Sequence, residues 1–381
     1  MGPARAAAFF KERWPAASRC NVELHGSLAA TGKGHGTDVA IRKALGGLET
    51  EIVWLPDVVL PRHPNGMRFT AFAADGSALA AWEAFSVGGG TVEGEGVPNE
   101  DGVGTYDLSR MEDLLAWCER EGLPLWRHAE LREGERLWEH LRRVWEAMTA
   151  CQNRGLAMDG ALPGGLHLAR KARSFIRKSQ GVSALPRRTA QLAAYALAVA
   201  EENAAGGEVV TAPTCGSCGV LPAVLRYLTE GVDYAPDEVL KALATAGLIG
   251  AVVRENASIS GAEVGCQGEI GTACAMAAGA AAWLFGGTPR QVECAAEMAL
   301  EHHLGLTCDP VMGLVQIPCI ERNAFAAMRA LDCAEYALLS DGSHRITFDQ
   351  VVRTMMQTGA DLAQAYRETS RGGLAAIHSE G

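Results

Sequence analysis

The sequence predicts an α+β domain over 1–130 followed by an all-α domain over 131–381. Three observations carry this. Runs rich in Val, Ile, Phe and Trp and bounded by Gly, Asp or Pro, the mark of short strands, occur only near the start. Long Ala-rich segments with apolar residues at three-and-four spacing fill the chain after about residue 136. At 381 residues the chain also exceeds one compact core, since cores stop growing at roughly 250–300 residues.

In order, strands are expected at 19–27, 49–56 and 67–76, and helices over Thr37 to Leu45, capped by Thr37 or Asp38, and over Ser109 to Arg120. The Gly-rich patch 87–104 cannot pack as a regular element and reads as a mobile loop. Further helices are expected at 136–156, 187–205, 219–230, 236–256, 267–286, 289–304, 320–331 and 347–369. Thr288 and Pro289 form a start signal, a cap followed by proline at the first helical position. The nearly uncharged run 270–287 owes its apolarity to Ala and Gly, which insert weakly into lipid but pack closely, so it reads as a buried helix.

With 34 Lys and Arg against 45 Asp and Glu, the net charge is −11. Nucleic acid and anionic membranes both call for a clustered basic surface, so neither is expected as a partner. The eleven cysteines are odd in number in a long chain with no secretory opening pattern, which points to a reducing cytoplasm and away from a disulfide framework.

Three constellations can do chemistry. The first, His25 to Asp38, is a Gly-rich turn between a strand and a helix. It offers Ser27, Thr31, Lys33 and His35 to an anion, but its spacing is neither that of a phosphate loop nor that of a dinucleotide fingerprint. The second is Cys215 and Cys218, a pair at a turn before a helix; it lacks the second pair of a zinc site and the βαβ context of a redox pair. The third comprises Cys266, Cys308 and Cys319, each beside Gly or Pro near a predicted helix start, where amides favour thiolates. These three are either buried thiols or ligands of a soft metal centre with one open position. Arg254, Asn256, Ser260, Glu263, Gln267, Glu269, Asp309, Gln316 and Asn323 surround them with more polar groups than loop packing requires, whereas Cys274 and Cys294 fall inside helices and read as packing.

The segments "HGSLAATGKGHGTDVAI", "ALPGGLHLARKA", "YALAVAEENAAGG", "VVTAPTCGSCGVLPAVL", "ISGAEVGCQGEIGTACAMAAGA" and "LGLTCDPVMGLVQIPCIERNA" together resemble the iron-sulfur L-serine dehydratases, in the form with both halves fused. The resemblance spans essentially the whole chain. It implies a small domain similar to allosteric substrate-binding modules ahead of a helical catalytic domain. It also implies a 4Fe-4S cluster on Cys266, Cys308 and Cys319, no pyridoxal phosphate, L-serine as substrate, and a homodimer. The implied reaction is loss of water from L-serine to give pyruvate and ammonia in amino-acid degradation, with an open iron as Lewis acid for the departing hydroxyl.

On this reading His25, Lys33 and His35 are the general acid and base candidates. Ser27, Thr31, Gly32 and loop amides bind the substrate from across an interdomain cleft, joined by Asn256 and Ser260, which with Gln267 also donate toward the cluster thiolates. Two departures from the family pattern stand out. The chain opens "MGPARAAAFF" without the Gly-Pro-Ser-Ser-Ser-His-Thr loop, and it ends "GGLAAIHSEG" without a terminal cysteine to cap the iron. Cys215 or Cys218 is then a candidate to approach the cluster. Competing readings are an iron-sulfur L-cysteine desulfhydrase, in which thiolate is the leaving group, and a non-catalytic serine-binding sensor.

Overall fold

A computed structural model describes residues 1–98, 105–230, 232 and 234–379. The chain opens with α1 (Gly2–Arg13), where no element was expected. Its Ala6, Ala7 and Phe10 recur at helical spacing and are fully buried. A five-stranded sheet follows: β1 (Arg19–His25), β2 (Glu49–Leu55), β3 (Gly66–Phe72), β4 (Ala78–Ser86) and β5 (Val92–Gly94), in spatial order β2-β1-β3-β4-β5. Strands β1 and β2 run parallel, pairing Arg19 with Glu49, and so need a crossover; α2 (Gly26–Gly32) and α3 (Thr37–Leu45) supply it. The remaining pairs are antiparallel.

Alternation sends Cys20, Val22 and Leu24 of β1 to one face, where they pack with Phe10, Phe69 and Ile41 in the small domain's core. The run expected as one strand over 67–76 turns at Ala73–Ser77, with Gly76 at φ +86°, and returns as β4. The Gly-rich patch contributes β5, and its stretch 99–104 lies outside the described residues.

The helical part comprises α4 (Met111–Glu121), α5 (Leu125–Glu133), α6 (Glu135–Ala157), α7 (Ala172–Ser179), α8 (Ala184–Ala204), α9 (Val220–Thr229) and α10 (Pro236–Asn256). Then come α11 (Gly261–Val264), a π-helical turn at Gln267–Gly271, α12 (Thr272–Leu284), α13 (Pro289–Glu301), α14 (Cys319–Leu338), α15 (Phe348–Asp361) and α16 (Gly373–Ser379). Thr288 does cap α13, in a reciprocal capping box with Gln291. Helix α4, grouped by sequence with the first domain, buries Met111, Leu114 and Trp117 in the helical core. The amides of Met111 and Glu112 donate to the Asp349 carboxylate of α15, both at 2.9 Å, a favourable charge at a helix start.

Helix α12 runs through the middle of this domain against α9, α10, α13 and α14. Its small residues are what allow that approach: a methyl on Gly279 would lie 2.2 Å from the Ile249 Cδ1 atom. Among the described residues, no helix is long and apolar enough to cross a membrane. The helix expected over 347–369 stops at Asp361. Beyond it the chain leaves as a strap, in which the Tyr366 carbonyl and the Glu368 amide pair with the backbone of Cys308.

Candidate active site

Each of the three cysteines is positioned by a different local device. Cys266 sits between α11 and the π-helical turn, after Gly265 at φ +77°, where a side chain would meet the Leu306 carbonyl oxygen at 2.8 Å. Gln267, fully buried, braces this turn: Nε2 donates to the Val264 carbonyl at 2.7 Å, and Oε1 accepts the Gly305 amide at 3.0 Å. Cys308 is held by the strap, its amide donating to the Tyr366 carbonyl and its carbonyl accepting from the Glu368 amide, both at 2.8 Å. Cys319 opens α14. Asn323, one turn on, donates to the Cys319 and Gly216 carbonyls at 2.9 and 2.7 Å and accepts the Gly219 amide at 2.8 Å, tying α14 to the segment that carries Cys215.

The three cysteines line one cavity of ≈ 490 Å³ between the two domains. Cys266, Cys308 and Glu269 bring their ligand atoms within 4.8 Å of one another, with Cys319 on the same wall outside that group. Thr214 donates to the Glu269 carboxylate at 2.6 Å. Cys215 lines the cavity too, whereas Cys218 packs with Cys151 and Val199. Another cavity, ≈ 450 Å³, shares Gly89 and Thr211 with this one but is lined by no cysteine among the described residues.

The electrostatics follow from enclosure. Contact with Cys266, then burial, push the Cys308 thiol well above its ordinary pKa, and burial followed by the Cys266 charge does the same to Cys319. Burial also raises the carboxyls of Glu269 and Glu368, which face each other. Arg322 answers this group: its desolvation is outweighed by the Cys266 and Cys319 charges, so that its pKa rises. It also donates to the Thr307 carbonyl at 2.6 Å and to Asp309 at 3.2 Å. Cys308 and Cys319, whose thiols are held above their ordinary pKa, are groups that a soft cation would deprotonate and hold.

The small domain brings Thr31 and His35 to this cavity, together with Gly36 and Thr37 at the start of α3. His35 is exposed on the cavity wall, and the protein crowded around it, followed by the N-terminal ammonium, lowers its pKa to about 4. The other predicted groups lie elsewhere. Lys33 is exposed over the Trp54 ring at 5.6 Å, and Gly32 packs on Trp54, where a methyl would come within 2.6 Å. His25 is buried at the end of β1 with Nε2 3.4 Å from the Glu23 carboxylate. Ser27 donates its hydroxyl to the Glu368 carbonyl at 2.5 Å, which pins the strap to the small domain. Asn256 donates to the Ser109 and Val252 carbonyls at 2.7 and 2.8 Å, and Ser260 starts α11 through its own carbonyl. The expected loop after His25 is largely helical, and the amides of His35 and Gly36 are taken by the Thr31 and Lys33 carbonyls, both at 3.2 Å.

Arg322 and Glu368 were absent from the sequence-derived set. Arg322 has a local signal, lying three residues after Cys319 on the same helix face. Glu368 has none, since only the strap's pairing with Cys308 carries it there.

Two family models match the chain: the serine dehydratase alpha chain over residues 70–375 and the serine dehydratase beta chain over residues 1–53. The L-serine dehydratase of Streptomyces coelicolor is 43% identical over 432 aligned positions, covering 98% of this chain and 94% of the relative. That of Mycobacterium tuberculosis is 44% identical across 93% of this chain and 88% of the relative. L-serine dehydratase 1 of Escherichia coli K12 is 41% identical across 94% and 89%. The 432 positions exceed the 381 residues here, so the Streptomyces protein carries segments that this chain lacks.

Proposed function

The chain belongs to the serine dehydratase family, and on that premise we propose that it eliminates water from L-serine to yield pyruvate and ammonia in the cavity between its two domains. The observation that carries this reading is the meeting, in one cavity, of three buried thiols from the helical domain with an imidazole from the small domain.

The donor set fits an iron-sulfur cluster. Cysteine thiolates are the usual cluster ligands, and here three of them line one cavity, with Cys266 and Cys308 bringing their sulfurs within 4.8 Å of each other. Cys266, Cys308 and Cys319 would hold it. When bound, such a 4Fe-4S group supplies Lewis acidity toward the substrate hydroxyl.

The protein's own residues account for the rest. His35 is neutral above a pH of about 4 and so is free to accept the α-proton at neutral pH. The first amides of α3, with Thr37, present a helix N-terminus to the cavity and receive the substrate carboxylate. Thr31 spends its proton on the Ser27 carbonyl at 3.1 Å, which leaves its oxygen lone pairs to accept from the substrate ammonium. Arg322 balances the thiolates. Closure of the small domain over the cavity keeps bulk water away from the carbanion-like stage of the reaction.

We also propose that the enzyme works as a cytoplasmic homodimer. All eleven cysteines are free, as in a reducing compartment. Phe325 and Tyr336 of α14, with Leu339 just past its end, are exposed, a patch of the kind a second copy covers. The test of the function is iron and acid-labile sulfide content of protein purified without air, with pyruvate release from L-serine measured on the same sample. Stoichiometric cluster with pyruvate release supports the reading, and a full cluster without turnover refutes it.

A further inference from the structure

The strap faces two cavities. Glu368 points into the cysteine cavity, and its neighbours Arg367 and Thr369 line a separate one of ≈ 290 Å³ on the other side of the domain seam. Glu368 and Ser370 both adopt φ of +56°, a strained conformation for residues with side chains, so this alternation is held against a local cost.

The second cavity contains two buried hydrogen-bond donors with no acceptor. His63 has 6% of its surface exposed, and its Nδ1 accepts the Asn65 amide at 3.0 Å, so the proton of the neutral ring is assigned to Nε2. That Nε2 has no hydrogen-bond partner; the nearest carboxylate, Glu263, is 3.7 Å away, beyond hydrogen-bond range. The Nε of Arg367 is likewise buried and unpaired, and its guanidinium makes no ion pair among the described residues. Arg62 adds a second cation at the mouth, already engaged with Glu93 at 2.7 Å. With Arg62 paired to Glu93, the lining is left with the Arg367 guanidinium and the Glu263 carboxylate, so the unpaired donors and not a surplus of charge mark this cavity. Orphaned buried donors are costly, and the oxygens of one small oxyanion would satisfy both at once.

We propose that this cavity is a binding site for a small oxyanion, a carboxylate or phosphate, held by Arg367 and His63. Bound there, it bridges the strap to the Leu60–Pro64 segment of the small domain and fixes the strap that carries Glu368. Ser27, expected from the sequence to bind substrate, also lines this cavity, but its hydroxyl is spent on the Glu368 carbonyl.

The test is isothermal titration calorimetry of the full chain with inorganic phosphate and, separately, with acetate, in a buffer free of other oxyanions. At least one probe is expected to bind saturably: phosphate alone marks a phosphate site, acetate alone a carboxylate site, and both an unselective oxyanion site. Arg367→Gln should weaken binding about tenfold or more, the loss of one charge-assisted hydrogen bond. His63→Phe should also weaken it, and Arg367→Lys, which keeps the charge if Gln disturbs the strap, should restore part of it. Arg322→Gln, in the cysteine cavity, should leave it unchanged. The proposal is overturned if neither anion saturates up to tens of millimolar, if Arg367→Gln and His63→Phe both bind like the parent, or if Arg322→Gln abolishes binding.

Discussion

Gly34 of the small domain and Gly313 of the helical domain meet backbone to backbone: a methyl group on Gly34 would lie 2.3 Å from the Gly313 carbonyl oxygen. Gly313 is itself at φ +68°, with the Thr31 Cα 3.2 Å from where its own side chain would begin. The cysteine cavity is therefore closed at this point by the absence of two side chains, one from each domain.

Gly34→Ala should wedge the domains apart while leaving each core intact. Overpacking of this kind costs roughly 1–3 kcal/mol, here levied on closure. The expected outcome is a loss in kcat/KM of about tenfold to a hundredfold, with a melting temperature close to that of the parent. Steady-state kinetics and a thermal melt on the same preparation check it.

Changing Cys266, Cys308 or Cys319 singly to Ser should remove the visible iron-sulfur chromophore and the acid-labile sulfide, because a hydroxyl is a poor ligand for soft iron-sulfur centres. Cys118→Ala, in α4, should keep both at the parent's level, since Cys118 packs in the helical core away from the cavity. Anaerobic absorption spectra and iron analysis decide the matter.

His35→Gln should lower kcat by about 10²–10⁴-fold, the usual worth of a general base, with little change in KM. The parent's kcat/KM should decline on the acid side as pH approaches about 4, where His35 becomes protonated. That limb should vanish in the variant. Lys33→Ala, exposed over Trp54, should have a much smaller effect.

Glu297 provides a pH-dependent stability test away from the site. Burial, then repulsion from Glu301, raises its carboxyl pKa to about 7. The folded state thus holds a proton that the unfolded state has released between the ordinary carboxylate range and pH 7, so stability falls as pH rises through that window. Glu297→Gln should stabilise the protein at pH 8 by up to about 3 kcal/mol and give no gain at pH 4. Melting curves at the two pH values measure the difference.

Much of the secondary structure was legible because it is local. Helix α10 covers the expected 236–256, and the Thr288 cap and Pro289 mark the start of α13. The three cysteines could be singled out for the same reason, each lying in a Gly- or Pro-marked turn. The helical start of the chain was missed because Ala6, Ala7 and Phe10 show their spacing only once a sheet face exists to receive them. The apparent Gly-rich loop after His25 is largely α2, its glycines serving close approach to Trp54 and Gly313 as much as turning.

What the sequence by itself determined about this protein is its elements, its soft donors and its family likeness, all carried by residues near one another along the chain. Only the tertiary structure decided that Cys266 and Cys308 meet with Glu269, that Arg322 balances them, that His35 reaches the cavity while His25 and Lys33 do not, and that Glu368 enters it. The physical reason is that these placements depend on long-range backbone pairing and domain contact: Cys308 with Tyr366 and Glu368, Ser27 with Glu368, Gly34 with Gly313. Such contacts form only when distant segments fold against each other, and no local propensity encodes them.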